Sequence, residues 1–425
     1  MRVAFTTLGC KINQYETDLM RRDFLSSGDT VVPFDGEADV YIINTCSVTA
    51  KSDYQCRQAI RSAVKKGKGA RVVVTGCYAA TRPDEIKKID GVDLVLGNKN
   101  KESISQSVRL LAPVGGSGSP SGDTEQAATP GARTRGFLKI QDGCDNRCSY
   151  CIVPLARGGS RSVDSVEVQG KFESLVQEGC PEIVLSGIHI GMYGADIKPG
   201  LDLTGLIEAL LEKRGGTRVR LSSIEPREVT EGIIKFLGNG LCRHLHIPLQ
   251  SGDDSILATM RRNYTSVFYR DLLSGIAGRV PGIALGADVM VGFPGEGEAE
   301  FQNTLRLIEE TALTHLHVFS YSPRPGTPAA EMKGQVPENV KKKRSEALRT
   351  LGNRKNYEFR KTFSGSELDV VVEGKVDESD NALTGLTDNY IRVGITNGKP
   401  EHVGKQARIR ITNVTGSMTS GRVCD

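Results

Sequence analysis

Between residues 136 and 323, six short β-type runs alternate with helical segments: "GFLKIQDGC", "EIVLSGI", "RVRLSSIEP", "RHLHIPLQSG", "ALGADVMVGFPG" and "HLHVFSYSP". A chain patterned this way has few choices. Strands separated by helices align in parallel with right-handed crossovers, and six such units curl into a full or partial barrel with its chemistry at the carboxyl ends of the strands. Cys144 falls just past the first run.

Residues 1–111 repeat the theme on a smaller scale. "VAFTTL", "VYIIN" and "RVVVT" are β-type runs separated by helical segments, the pattern of a doubly wound parallel sheet. Each leads into a cysteine: Cys10 after the first, Cys46 in "NTC" and Cys77 in "TGC". Parallel strands point one way, so these thiols are expected along one sheet edge, where open α/β sheets hold ligands. Three separately buried thiols are the competing reading. Cys56 precedes Ala59, Ile60, Ala63 and Val64 at helical spacing and is expected in the core.

Residues 112–134, "APVGGSGSPSGDTEQAATPGART", are rich in Gly, Ser and Pro and read as a linker. A second domain is expected over 135–362. It ends in a charged helical segment, with ten Lys and Arg against three Asp and Glu from 333 to 362. Over 363–425, the runs "LDVVVEG", "YIRVGI" and "ARIRITNVTG" are joined by Gly, Asn and Asp turns, which suits a small antiparallel β-barrel of the oligonucleotide-binding kind. That region holds nine acidic and seven basic residues, so RNA contact there depends on where Arg392, Lys405, Arg408 and Arg410 lie.

At 425 residues, 38% hydrophobic and 25% charged, the composition is that of a globular chain of several domains. The N-terminal "MRVAFTTLGCKINQYE" lacks a signal-peptide apolar core, and no run approaches a membrane span. A cytoplasmic location with no membrane partner is expected. Thiols stay reduced there, so the ten cysteines read as ligands, nucleophiles or core residues. The net charge of +4 is compatible with a nucleic-acid partner.

Residues 143–151, "GCDNRCSYC", place Cys144, Cys148 and Cys151 at C-x3-C-x2-C spacing. Structural zinc takes four ligands, and each iron of an Fe4S4 cluster needs an outer ligand. The next Cys or His is Cys180. A fourth ligand from outside the chain is one reading of this shortfall, and a zinc site is the other.

Opening a βα barrel, with Tyr150 before the third cysteine, this motif resembles that of the radical S-adenosylmethionine superfamily. "TLGCKIN", "NTC", "TGC", "CIVPLARGGSRS", "HIPLQSGDDSILATMRRNYT", "DVMVGFPGE" and "FSYSPRPGTPA" extend the likeness over nearly the whole chain, which is similar to the methylthiotransferase family. The resemblance implies a partial (βα)6 radical S-adenosylmethionine barrel and a TRAM-like terminal barrel that contacts tRNA. It implies two 4Fe-4S clusters, one on Cys144, Cys148 and Cys151 and one on Cys10, Cys46 and Cys77. Each would leave an iron open, for S-adenosylmethionine at the first and for sulfur at the second. A monomer is expected, and the sulfur and electron donors are not identified by the sequence.

Tyr150, Ser186, Gly187, Glu225, His246, Gln250 and Ser251 are the expected cofactor contacts, with Ser186 and Gly187 at the amino group of S-adenosylmethionine and Glu225 at its ribose. Packing at the barrel rim is the competing reading. The pairs His244/His246 and His315/His317 each put both imidazoles on one strand face and are assigned no metal. Arg157 and Arg161 are candidate phosphate contacts. "GCKIN" looks most like the branch that modifies N6-threonylcarbamoyladenosine beside the anticodon. The isopentenyladenosine branch carries Gln-Met-Asn after that cysteine, and the branch acting on a ribosomal-protein aspartate carries Pro-Lys-Asn. Arg324 and Ser322 are candidate partners of the threonylcarbamoyl group. A non-catalytic iron-sulfur RNA-binding protein is the alternative of another class.

Overall fold

The computed structural model describes residues 1–67, 69–111, 134–197, 200–377 and 382–424, so the linker expected at 112–134 lies outside the described residues but for Thr134. The chain divides into two units. One is Met1–Ala132 with Asp142–Ser160 and Ser322–Ala330; the other is Arg133–Gln141, Arg161–Tyr321 and Glu331–Asp425. The cysteine loop and the "SPRPGTPA" segment therefore belong with the N-terminal sheet, an assignment that sequence order does not suggest.

In the first unit, β1 (Arg2–Thr7), β2 (Thr30–Val32), β3 (Val40–Thr45), β4 (Arg71–Gly76) and β5 (Leu94–Leu96) form one sheet in the order β2-β1-β3-β4-β5. All four pairings are parallel. Strand alternation sends Tyr41, Ile43, Val72 and Val74 to one face, against Cys56, Ile60 and Ala63 of helix α2 (Ala50–Lys66). Val3, Phe5, Ile42 and Val73 face the other way, onto Met20 and Phe24 of helix α1 (Lys11–Ser26). The strand order reverses between β1 and β3, which is where open α/β sheets form their ligand crevice.

In the second unit, Gly136–Lys139, Glu182–Ser186 and Arg218–Leu221 form one parallel sheet, and His244–His246, Ala284–Val291 and His315–Ser320 form another. A parallel bridge between Ser223 and His246 joins the two into a six-strand arc. Along Ala284–Val291, Leu285, Ala287, Val289 and Val291 are buried in the hydrophobic core. The alternate positions, Gly286 and Asp288 with the paired His246, His315 and His317, share the opposite, inner face.

Residues from Glu367 to Val423 close a five-strand barrel. Its pairings are antiparallel except that Arg392–Ile395 and Thr419–Val423 run parallel. A polar seam joins it to the amino ends of the arc's strands. Arg220, fully buried, donates to Glu182 and to the carbonyls of Thr387 and Asp388. Arg218 donates to Glu182 and to the carbonyls of Asp369 and Leu386. Tyr390 stacks on His244 with ring centroids 4.1 Å apart. No helix among the described residues is long and apolar enough to cross a membrane.

Candidate iron-sulfur and cofactor sites

Cys10, Cys46 and Cys77 follow β1, β3 and β4, three adjacent strands of one sheet. Cys10 caps helix α1, Cys77 opens helix α3 (Cys77–Thr81), and Cys46 lies in the loop between β3 and α2. A methyl group added at Gly9, whose φ is +117°, would lie 2.9 Å from the Cys46 Cβ, so the Cys10 loop passes against Cys46 only because residue 9 is glycine. Asn13 Nδ2 ties the two loops together, donating to the carbonyls of Leu8 at 2.9 Å and Thr45 at 3.0 Å. The Cys10 thiol is exposed, Cys77 half-buried and Cys46 buried. Burial pushes the Cys46 thiol up, and the neighbouring Cys77 and Cys10 charges add to the effect. Cys56 is the expected core residue: wholly buried, it donates to the Cys46 carbonyl, and burial pushes its thiol up to about 12.

The second cysteine loop belongs to the same unit. Gly143 precedes Cys144 at φ +71°, and a methyl group there would sit 1.9 Å from the Gly159 carbonyl oxygen. The Cys144 N–H donates to the carbonyl of Gly158, and the Cys151 N–H to that of Cys148, both at 3.1 Å. Cys144, Cys148, Tyr150 and Cys151 are all half-buried.

Arg157 departs from the phosphate contact expected at that position. It is 3% exposed, and its guanidinium donates to Glu16 Oε1 at 2.8 Å, Asp142 Oδ1 at 3.0 Å and Asn13 Oδ1 at 2.6 Å. Burial pulls its pKa down, but the charges of Glu16 and then Cys77 more than offset this. Lys101 also pairs with Glu16, and burial lowers its pKa. Asn98 Nδ2 lies 3.6 Å from the Cys77 sulfur and donates to the Ala156 carbonyl at 2.8 Å. An amide N–H thus lies against the Cys77 sulfur, and two buried cations, Arg157 and Lys101, lie within electrostatic reach of it. Three thiols at one sheet edge, with N–H and cationic groups beside them, fit the thiolate ligation of an iron-sulfur cluster, whose potential such neighbours tune. Sequence reading missed Asn13, Glu16, Asn98 and Lys101; only the position of Asn13 inside "GCKIN" pointed to the site.

Arg324 and Ser322 are committed as well. Arg324, 2% exposed, pairs with Asp53 and approaches the Ser47 hydroxyl at 3.4 Å, while the Ser322 hydroxyl accepts from the Ala50 N–H at 3.1 Å. These contacts tie them to the loop that carries Cys46 and to the start of helix α2.

In the second unit, Ser186 ends its strand with its hydroxyl turned back to the Val184 carbonyl, and a methyl group at Gly187 would lie 3.0 Å from Gln141 Oε1. Glu225 pairs with Arg262, whose guanidinium lies 5.0 Å from the Tyr264 ring centroid. Gln250 takes φ +63°, rare for a residue other than glycine, and its Oε1 is buried without a hydrogen-bond partner. Ser251 is buried beside Thr304 at 3.3 Å. Strain and an unsatisfied acceptor make Gln250 the member of this set most suited to a ligand. His246 stands apart from the others, beside Asp288 and His317 on the inner face.

Comparison with known proteins finds three consecutive family matches along the chain. Residues 2–97 match Uncharacterized protein family UPF0004, residues 138–308 the Radical SAM superfamily and residues 361–423 the TRAM domain. The Threonylcarbamoyladenosine tRNA methylthiotransferase MtaB of Bacillus subtilis is 42% identical, over 96% of this chain and 93% of its own. The chain belongs to the radical SAM methylthiotransferase family. Another family member of the same name, from Aquifex aeolicus, is 38% identical over 97% of this chain and 100% of its own. The tRNA-2-methylthio-N(6)-dimethylallyladenosine synthase of Fusobacterium nucleatum is 33% identical over 91% of each. Among solved structures, the radical S-adenosylmethionine methyltransferase TsrM from Kitasatospora setae superposes with a TM-score of 0.57 over 77% of both chains, at 15% identity, a likeness of fold.

Proposed function

We propose that the chain is a cytoplasmic, monomeric tRNA methylthiotransferase that acts at C2 of N6-threonylcarbamoyladenosine beside the anticodon. The observation that carries this reading is the placement of Cys10, Cys46 and Cys77 after three adjacent parallel strands, in the same unit as the Cys144 loop. An aromatic C–H bond is too weakly acidic for a side-chain base near neutral pH, so the reaction calls for radical chemistry. When bound, two 4Fe-4S clusters and S-adenosylmethionine would supply an electron, a carbon radical, a sulfur atom and a methyl group.

The chain's own residues do the rest. Cys144, Cys148 and Cys151 would hold one cluster and Cys10, Cys46 and Cys77 the other, each trio leaving a coordination place for a small molecule. Asn98, Lys101 and Arg157 offset negative charge at Cys77. Tyr150, Ser186, Gly187, Glu225, Gln250 and Ser251 are the proposed contacts of S-adenosylmethionine. The 42% and 38% identities to relatives named for threonylcarbamoyladenosine, against 33% for one named for dimethylallyladenosine, support the choice of substrate.

The test gives reduced, reconstituted enzyme three tRNAs, carrying N6-threonylcarbamoyladenosine, isopentenyladenosine or plain adenosine, and measures methylthio nucleosides by mass. Fastest turnover of the first is expected, because a site paired to its carboxylate, hydroxyl and urea leaves buried polar atoms unpaired with the others. Faster reaction of the isopentenyl form would assign the neighbouring branch; no methylthio product from any tRNA would refute the activity.

A further inference from the structure

Asp288 Oδ1 lies 3.1 Å from His246 Nε2 and 3.4 Å from His317 Nδ1, so two imidazole nitrogens converge on one carboxylate oxygen. The three ligand atoms fall within 4.8 Å of one another. We propose that His246, Asp288 and His317 form a divalent-cation site on the inner face of the barrel, distinct from both cysteine trios.

The spacing carries the argument. Zinc binds His nitrogen and carboxylate oxygen at about 2.0–2.2 Å, which places two ligands of a tetrahedral shell roughly 3.3–3.6 Å apart. Both contacts to Asp288 are within a few tenths of an ångström of that edge. Two histidines and one carboxylate leave open positions, a donor set that suits zinc or ferrous iron over magnesium or calcium. Strand register explains the convergence: Asp288 pairs directly with His317, and His246 pairs with Gly286, two residues earlier on the same face.

Two further features fit a built site. A Cβ at position 286 would fall 2.0 Å from the His315 Nε2, so the His315 ring can lie beside the trio only because residue 286 is glycine. That Nε2 is buried without a hydrogen-bond partner, a need that a water on a neighbouring cation can meet. Access is from the carboxyl side of the strands. His317 is 62% exposed, whereas at the amino ends His244 and His315 stack with Tyr390. The proposal moves His246 from the cofactor contacts to the cation, and it rests on the barrel and not on the proposed substrate.

The experiment uses full-length, cluster-loaded protein, dialysed anaerobically against zinc and assayed for zinc and iron by mass spectrometry and for the zinc shell by X-ray absorption. Wild type should retain about one zinc per chain with nitrogen and oxygen ligands at ~2.0–2.2 Å. Asp288→Asn and His317→Gln should each retain at least tenfold less, with iron unchanged. Should Asp288→Asn lower the melting temperature, His317→Gln, at an exposed ring, decides. Equal zinc in wild type and His317→Gln, no zinc in wild type, or sulfur ligands at ~2.3 Å would each overturn the site; the last would place the ion on cysteines, and the first two would leave the trio as a hydrogen-bonded array.

Discussion

Replacing Glu182 by Gln removes one charge from the seam between the two barrels and little else in shape. Glu182 is wholly buried and accepts from Arg218 at 2.7 Å and from Arg220 at 2.8 and 2.9 Å. Burial raises its pKa, but Arg220 and then Arg218 and Arg135 win, lowering it from 4.5 to about 2. At roughly 1.36 kcal/mol per pH unit, a carboxylate held from 4.5 down to about 2 draws about 3 kcal/mol of stability from its ionised form. The ~3–5 kcal/mol cost of breaking a buried ion pair is an independent measure of similar size. Because the folded pKa is depressed, this stability is complete above pH 4.5 and is lost as pH falls from 4.5 towards 2. The gap between wild type and Glu182→Gln should therefore be about 3 kcal/mol at pH 7 and about 2 kcal/mol at pH 3.5. Urea titrations followed by circular dichroism would read it as a separation of midpoints. Coincident midpoints at pH 7, or a gap that does not narrow on acidification, would refute the reasoning. The same seam bears on truncation. Deleting residues 364–425 strips Arg218 and Arg220 of four carbonyl acceptors, so it cannot serve as a clean test of RNA binding.

Replacing Cys144, Cys148 and Cys151 together by Ala should abolish 5′-deoxyadenosine formation, and continued cleavage of S-adenosylmethionine would sink the assignment of that loop. Replacing Cys10, Cys46 and Cys77 together should lower iron content by about half while some cleavage persists; unchanged iron would make the trio ordinary packing. Lys342→Glu with Lys343→Glu should weaken tRNA binding and flatten its dependence on salt, each lost phosphate contact removing ~0.7–0.9 from the slope. An unchanged slope would exclude that helix from the interface.

The cysteines were legible because their constraints are local. A β-type run leading into a thiol, through a glycine at Cys10 and Cys77, places each one at a strand end, and only the strand order 2-1-3-4-5 was needed to make the three ends adjacent. Arg157 was not legible. Its partners Glu16 and Asn13 lie 141 and 144 residues away, and nothing in "LARGG" separates a buried guanidinium from an exposed one. The "KIN" that marks the substrate branch is also revealing. Ile12 and Asn13 are buried, and Asn13, shared by the Gln-Met-Asn and Pro-Lys-Asn versions, holds the Cys10 and Cys46 loops together. Within that signature Ile12 and Asn13 serve the fold of the Cys10 loop. The imidazole pairs showed their period in sequence, but strand register is what brings His246 and His317 to Asp288.

Where an RNA would find positive charge follows from how the basic residues are used. On the terminal barrel, Arg392 pairs with Glu373 at 2.7 Å, Arg408 with Asp369 at 2.9 Å and Arg410 with Glu367 at 2.6 Å. Exposed pairs of this kind are worth about 0–1 kcal/mol, so a phosphate can displace the carboxylate, but each carboxylate stays nearby and blunts the gain. Along the helix Glu338–Lys361, three basic residues turn inward. Lys341 donates to the Tyr321 carbonyl, Arg344 to Glu296, and Arg360 to Thr419 and the carbonyls of Thr415 and Gly416. Lys342, Lys343 and Arg349 are exposed on the same helix. The basic segment thus splits its charge: one face holds the helix to the two barrels, and the other carries cations that do not face a cross-strand carboxylate. An RNA-binding surface centred on the terminal barrel alone would have to overcome its nine acidic residues. One that extends along the helix gains its field where the acidic residues are sparse.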